Sequence, residues 1–109
     1  MIVEVEPDFP CSPYNLIPLG RGLFCKVDVK LYDSLSAYNW YAKKSFRCWY
    51  ACRKLYLDGC QKIIRMHRII ANTPEDMVCH HINHDTFDNR ILNLQNMLSF
   101  DHAKMFSWR

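Results

Sequence analysis

The sequence predicts an α+β fold: a small antiparallel sheet with a packed helix, followed by a strand–loop–strand–helix (ββα) unit. Three observations carry that expectation. Arg47 to Arg53 alternates basic or aromatic residues with small ones and leads to Asp58-Gly59, a pair suited to a hairpin turn needing positive φ at both positions. Leu31, Leu35 and Tyr38 recur three to four apart, as one face of a helix would place them. Residues 77–107 set two short apolar stretches either side of a polar loop and close on a helix start signal.

Taken in order, residues 1–14 are Pro-rich and without periodicity, which suits an arm laid across the surface. Asn15–Gly20 and Leu23–Val27 read as two short strands around Arg21-Gly22. Asp28 is placed to cap a helix that Asn39 ends. After the strands around Asp58-Gly59, Gln61–Arg65 returns as a partner strand. A short helix, Met66–Ala71, follows and is stopped by Thr73-Pro74. Met77–Ile82 and Leu94–Leu98 read as strands flanking the polar loop 83–93. Ser99 then caps a closing helix from Phe100 to Ser107, with Asp101 beside the positive end of its dipole.

A chain of 109 residues suits one domain, or two small subdomains sharing a core. Half the residues are apolar and 14% aromatic, enough for a modest core and too many for a disordered tail. No apolar run approaches the roughly 20 residues that span a bilayer, so no membrane partner is expected. The opening MIVEVEPDFP carries acids and prolines where a secretory leader is basic and then apolar. An intracellular location is therefore expected: cytoplasm, nucleus or a phage- or virus-infected host cell.

The net charge of +3 is a weak argument for nucleic acid, and the placement of charge is a better one. Between Lys43 and Arg68 there are eight Lys/Arg and one acid, Asp58, which makes that third a candidate phosphate-tracking surface. The six cysteines lack paired C-x-x-C spacing, so they read as small, half-buried core thiols rather than a zinc site.

Chemistry concentrates in residues 79–104, which hold four of the five histidines. Hydrolysing a phosphodiester needs a nucleophilic water, neutralisation of charge at phosphorus and help for the leaving oxygen. A histidine near neutrality can take the proton from water. His80 and His81 are adjacent, so a regular strand would send them to opposite faces. They can serve one site only where the strand ends or bulges.

The run His80-His81-Ile82-Asn83-x-Asp85-x-x-Asp88-Asn89-Arg90-x-x-Asn93-Leu94, followed by His102, resembles the HNH endonucleases of the homing type. Ile17-Pro18-Leu19, Val27-Asp28, Tyr38-Asn39-Trp40-Tyr41 and Met66-His67-Arg68 are similar to the N-terminal part of that family, so the likeness covers roughly residues 16 to 104. It implies a ββα-metal (HNH) unit over 67–109, preceded by a β-rich DNA-contacting region over 15–66 and the arm. It implies His81 as general base, His80 and His102 as metal ligands, and Asn93 as the central asparagine that ties the loop and sets the base's geometry. Contacts to DNA are expected from Arg47, Arg53, Lys54, Arg65, Arg68 and Arg90, with His67-Arg68 bracing the site or touching the backbone. One divalent cation is implied, Mg²⁺ first, with Mn²⁺, Ni²⁺ or Zn²⁺ competing because two imidazoles are softer ligands than a carboxylate–amide pair. The chain departs from the family at His84, where glycine is usual. Longer homing relatives continue into a separate DNA-reading module, so site selection is expected to rest on the N-terminal sheet and on dimerisation.

The expected function is metal-dependent endonuclease action on double-stranded DNA, leaving 5′-phosphate ends. One site cuts one strand, so a monomer should nick and a homodimer should make a double-strand break. The rivals are a non-catalytic DNA-binding module with a structural metal site, and a histidine-rich structural zinc domain of an interaction protein.

Overall fold

Residues 13–98 are described in the structure, a computed structural model. They form a small α+β fold, mostly antiparallel strands with few helices. Strands β1 (Tyr14–Gly20) and β2 (Leu23–Asp28) pair as a two-stranded ribbon. Strands β3 (Tyr41–Ser45), β4 (Cys48–Leu57) and β5 (Cys60–Arg65) make a three-stranded meander. Strands β6 (Met77–His81) and β7 (Leu94–Leu98) form a third pair. Between them lie two short helices, α1 (Tyr32–Ser36) and α2 (Met66–Ile70). The expected closing helix lies outside the described residues. No helix among the described residues is long and apolar enough to cross a membrane.

The ribbon follows its alternation. Ile17 and Leu19 on β1 and Cys25 and Val27 on β2 turn inward, while Leu16, Pro18 and Phe24 face out. These inward residues meet Leu35 of α1, Trp40, Ala51 of β4 and Met66 of α2 to form the core. The Cys25 thiol is buried among them and its pKa is pushed up to about 12 by burial. It donates to Met66 Sδ at 3.7 Å, so it behaves as a core residue rather than a nucleophile. Cys52 and Cys79 are likewise buried free thiols, whereas Cys48 and Cys60 are exposed.

The β4–β5 turn is as its sequence demands. Leu57 pairs with Cys60, and Asp58 and Gly59 both have positive φ, at 50° and 76°. Asp58-Gly59 therefore sits where an Asn/Asp-Gly pair is favoured.

Asp28 does something else than expected. It makes no side-chain cap, and residues 29–31 form a 3₁₀ turn before the five-residue α1. Its carboxylate instead accepts the Ile91 backbone N–H at 2.7 Å. This belongs to a seam joining β2 to the distant loop 82–93: Lys26 N–H donates to the Phe87 carbonyl at 2.7 Å, and Asn89 N–H donates to the Lys26 carbonyl at 2.8 Å. The polar loop is thus an extra partner for the ribbon, with the Phe87 carbonyl and the Asn89 N–H satisfied by Lys26 of β2.

Candidate functional site

His80 and His81 close β6, paired in regular register with Gln95 and Leu94. The strand ends there without a bulge, and the two rings have different neighbours. Both residues are only 5% exposed. The His80 ring meets His84 edge-on at 5.4 Å. The His81 ring lies 4.8 Å from His67, the second residue of α2, which in turn stacks on Tyr50 of β4 at 5.3 Å. Tyr50, His67 and His81 form a column linking the meander, α2 and β6.

His81 is oriented by Asn89. Its Nε2 lies 2.8 Å from Asn89 Oδ1, and the Asn89 amide nitrogen donates to Met66 Sδ at 3.4 Å. The sulfur contact turns the amide so that its oxygen faces the imidazole. An amide oxygen only accepts, so the proton of neutral His81 sits on Nε2 and Nδ1 carries the lone pair. Burial lowers the His81 pKa, opposed by the Asn89 bond and the charges of Asp85 and Asp88. Burial, with His81, Arg65 and Arg68 nearby, lowers His67 further, to about 3. Both rings are therefore neutral at neutral pH.

Asn93 fastens the loop. Its amide nitrogen donates to Asn83 Oδ1 at 2.9 Å and to the Asp88 carbonyl at 2.8 Å, while its oxygen accepts Asn83 N–H at 2.9 Å. Its own carbonyl accepts Ile82 N–H at 2.8 Å. The amide bonds of Asn93 stay within the loop, and the residue holding the His81 ring is Asn89. Sequence reading passed over Asn89, although an amide between two charged residues in a polar loop is a natural candidate for a buried bond.

Arg90 requires a correction. Reaching a phosphate needs an accessible guanidinium, and Arg90 is fully buried. It donates from Nε and Nη2 to the two oxygens of buried Asp88, at 2.8 and 2.6 Å, and its guanidinium lies over the Tyr14 ring. Burial alone would raise the Asp88 carboxyl, but the bonds and charge of Arg90 and the Asn83 amide hold it below its ordinary value. Arg90 is thus a clamp inside the loop.

The other basic residues divide. Arg47, Arg65 and Arg68 line an open cleft of about 540 Å³ together with His67, His80, His81 and His84. Arg65 is steadied by donating to Ser45 Oγ at 3.2 Å, and Arg68 by donating to the Met77 and Pro74 carbonyls, each at 3.0 Å. Arg53 and Lys54 lie elsewhere, lining a separate notch with Tyr38, Tyr41 and Tyr56. The Arg53 guanidinium sits 4.1 Å from the Tyr38 ring centroid, and Lys54 is exposed beside Tyr41.

His84 occupies the left-handed region, at φ 67°, where a glycine would be unstrained. Asn83 and Asp85 shape the turn around it by accepting the Asp85 and Phe87 N–H groups on their side chains. Of the two expected metal ligands, His80 is in the cleft and His102 lies outside the described residues. Among the described residues, no group of three or more His, Cys, Asp or Glu is gathered to hold a metal.

No protein-family model, curated protein or solved structure matches the chain.

Proposed function

We propose that the chain is a metal-dependent endonuclease of the HNH, ββα-metal kind acting on double-stranded DNA. The observation that carries the reading is the lining of the cleft: among the described residues it holds four imidazoles, three guanidiniums and no carboxylate. The three guanidiniums give this lining a positive potential that attracts a polyanion. Within it His81 is neutral, held through Nε2, and keeps Nδ1 for the proton of an attacking water.

Arg47, Arg65 and Arg68 hold phosphates along the cleft, and the anchored guanidiniums of Arg65 and Arg68 orient the reacting one for in-line attack. Asn93 keeps the loop closed so that Asn89 stays against His81. His80 and His102 would hold a divalent cation, which would supply neutralisation of the charge that builds during hydrolysis, and the expected products carry 5′-phosphate ends. Nicking is the expected product of one copy, and a double-strand break requires a second copy related by symmetry.

The test is supercoiled plasmid incubated with Mg²⁺, Mn²⁺, Ni²⁺ or Zn²⁺. Nicking by the wild type that His81→Ala abolishes is the expected result. A plasmid retarded in gels but left intact with every metal would mean a binding module without catalysis.

A further inference from the structure

Phe46 is 99% exposed, while the next most exposed large apolar side chain among the described residues, Tyr56, is 66% exposed. It stands at the first central position of the two-residue turn between β3 and β4, where Ser45 pairs with Cys48. Its φ is 59°, and Arg47 after it is not in the positive region. Positive φ at the first position alone is the pattern of a II′ turn, where glycine is favoured and a bulky side chain is strained. A large ring held outside any packing, on a backbone that penalises it, contributes nothing to the isolated fold.

The surroundings of this ring are polar and cationic. Lys44 and Arg47 flank it as exposed residues, and Phe46 lines the same cleft as Arg65, Arg68 and His81, to which the described residues contribute no carboxylate. The tip is also held in place relative to the histidine loop. Arg65 donates to Ser45 beside the turn, and the Thr86 hydroxyl donates to the Trp49 carbonyl, tying β4 to the loop. An apolar protein partner would have to bury those cations unpaired. A nucleic acid offers both needed surfaces, phosphates for the cations and a base face for the ring.

We propose that Phe46 is a wedge that enters the base stack of duplex DNA beside the phosphate held in the cleft. The inference rests on the nuclease reading for its substrate and specifies how that substrate is gripped. Inserting an aromatic ring partly unstacks one base step and kinks the duplex, which lets the histidine wall approach a backbone that a straight duplex would hold away.

The full chain is titrated against duplexes containing 2-aminopurine, whose fluorescence rises on unstacking, and its nicking is followed on an intact duplex and on one with a mismatch at the mapped cleavage step. Wild type and Phe46→Trp should raise the fluorescence, and Phe46→Ala should not. Phe46→Ala should nick the intact duplex about tenfold more slowly or worse, with recovery on the mismatched duplex, where unstacking is already done. Equal fluorescence rise with Phe46→Ala and wild type overturns the wedge. So does an activity loss that the mismatch leaves unchanged. If wild type nicks no DNA, the nuclease reading falls by itself, and the fluorescence comparison still decides the wedge. A change in oligomeric state with Phe46→Ala, and none in fluorescence, would assign the ring to a contact between copies instead.

Discussion

His81 donates through Nε2 to the side-chain oxygen of Asn89, 2.8 Å away, and Asn89 is itself anchored on the sulfur of Met66 in the hydrophobic core. The imidazole proposed to move a proton is therefore oriented from the core outward. Replacing Asn89 by Ala leaves a buried ring N–H without its acceptor, at a cost of about 1–3 kcal/mol. The variant should melt earlier and nick more slowly, with plasmid affinity kept. Thermal unfolding and nicking rates measured together check this, and unchanged nicking would remove Asn89 from the site.

His81→Ala should lower nicking by about 10²–10⁴-fold, the usual contribution of a positioned base. Retardation of the same plasmid in gels should be unaffected, because Arg47, Arg65 and Arg68 remain in the cleft. A cleaving His81→Ala protein would transfer the proton role to another group.

Arg90→Ala should act on folding. Removing one partner strands the buried Asp88 carboxylate, and breaking a buried pair costs about 3–5 kcal/mol. Denaturant unfolding should show that loss, whereas Arg47→Ala, an exposed change at the turn, should leave stability intact and weaken DNA binding. A stable Arg90→Ala protein with a specific DNA-binding defect would return Arg90 to the interface.

Acid should destabilise the fold well before carboxylates titrate. The unfolded chain takes protons on His67 and His81 near the ordinary value of 6.5, while the folded chain resists, down to about 3 for His67. The unfolded state thus binds more protons below about pH 6.5, so stability is full above that value and is lost as pH falls toward about 3. Thermal midpoints should drop between about pH 7 and about pH 4, and a His67→Gln variant should show a shallower slope.

His84→Gly should stabilise the protein by about 1 kcal/mol, because the left-handed φ of 67° carries a side-chain penalty that glycine lacks. Nicking should persist if His84 is only a loop residue against His80. Loss of metal-dependent nicking in this variant would make the exposed imidazole part of the site.

Local chemistry was legible where one residue type has one good solution. Asp58-Gly59 announced its hairpin, Arg21-Gly22 marked the turn between the two strands of the ribbon, and the ββ pairing of Met77–His81 with Leu94–Leu98 followed from two apolar stretches around a polar one. The loop-fastening part expected of Asn93 agrees with its bonds to Asn83 and Asp88. Asp28 was misread because an aspartate before a helical pattern is an equally good acceptor for any N–H brought to it, and the chain brings Ile91. Arg90 was misread because charge in a loop favours exposure unless a partner is buried beside it, and Asp88 is two residues away in a position only the folded loop closes.

The sequence by itself determined most of the strands, the Arg21-Gly22 and Asp58-Gly59 turns and the grouping of histidines, since these depend on side-chain period and on backbone sterics within a few residues. Tertiary structure alone decided that His67 stands beside His81, that Asn89 rather than Asn93 orients that ring, and that Arg47 and Arg65 share its cleft while Arg53 and Lys54 do not. The physical reason is sequence distance: each of those contacts depends on how the ribbon, the meander and α2 pack, and no local period encodes which strand faces which loop.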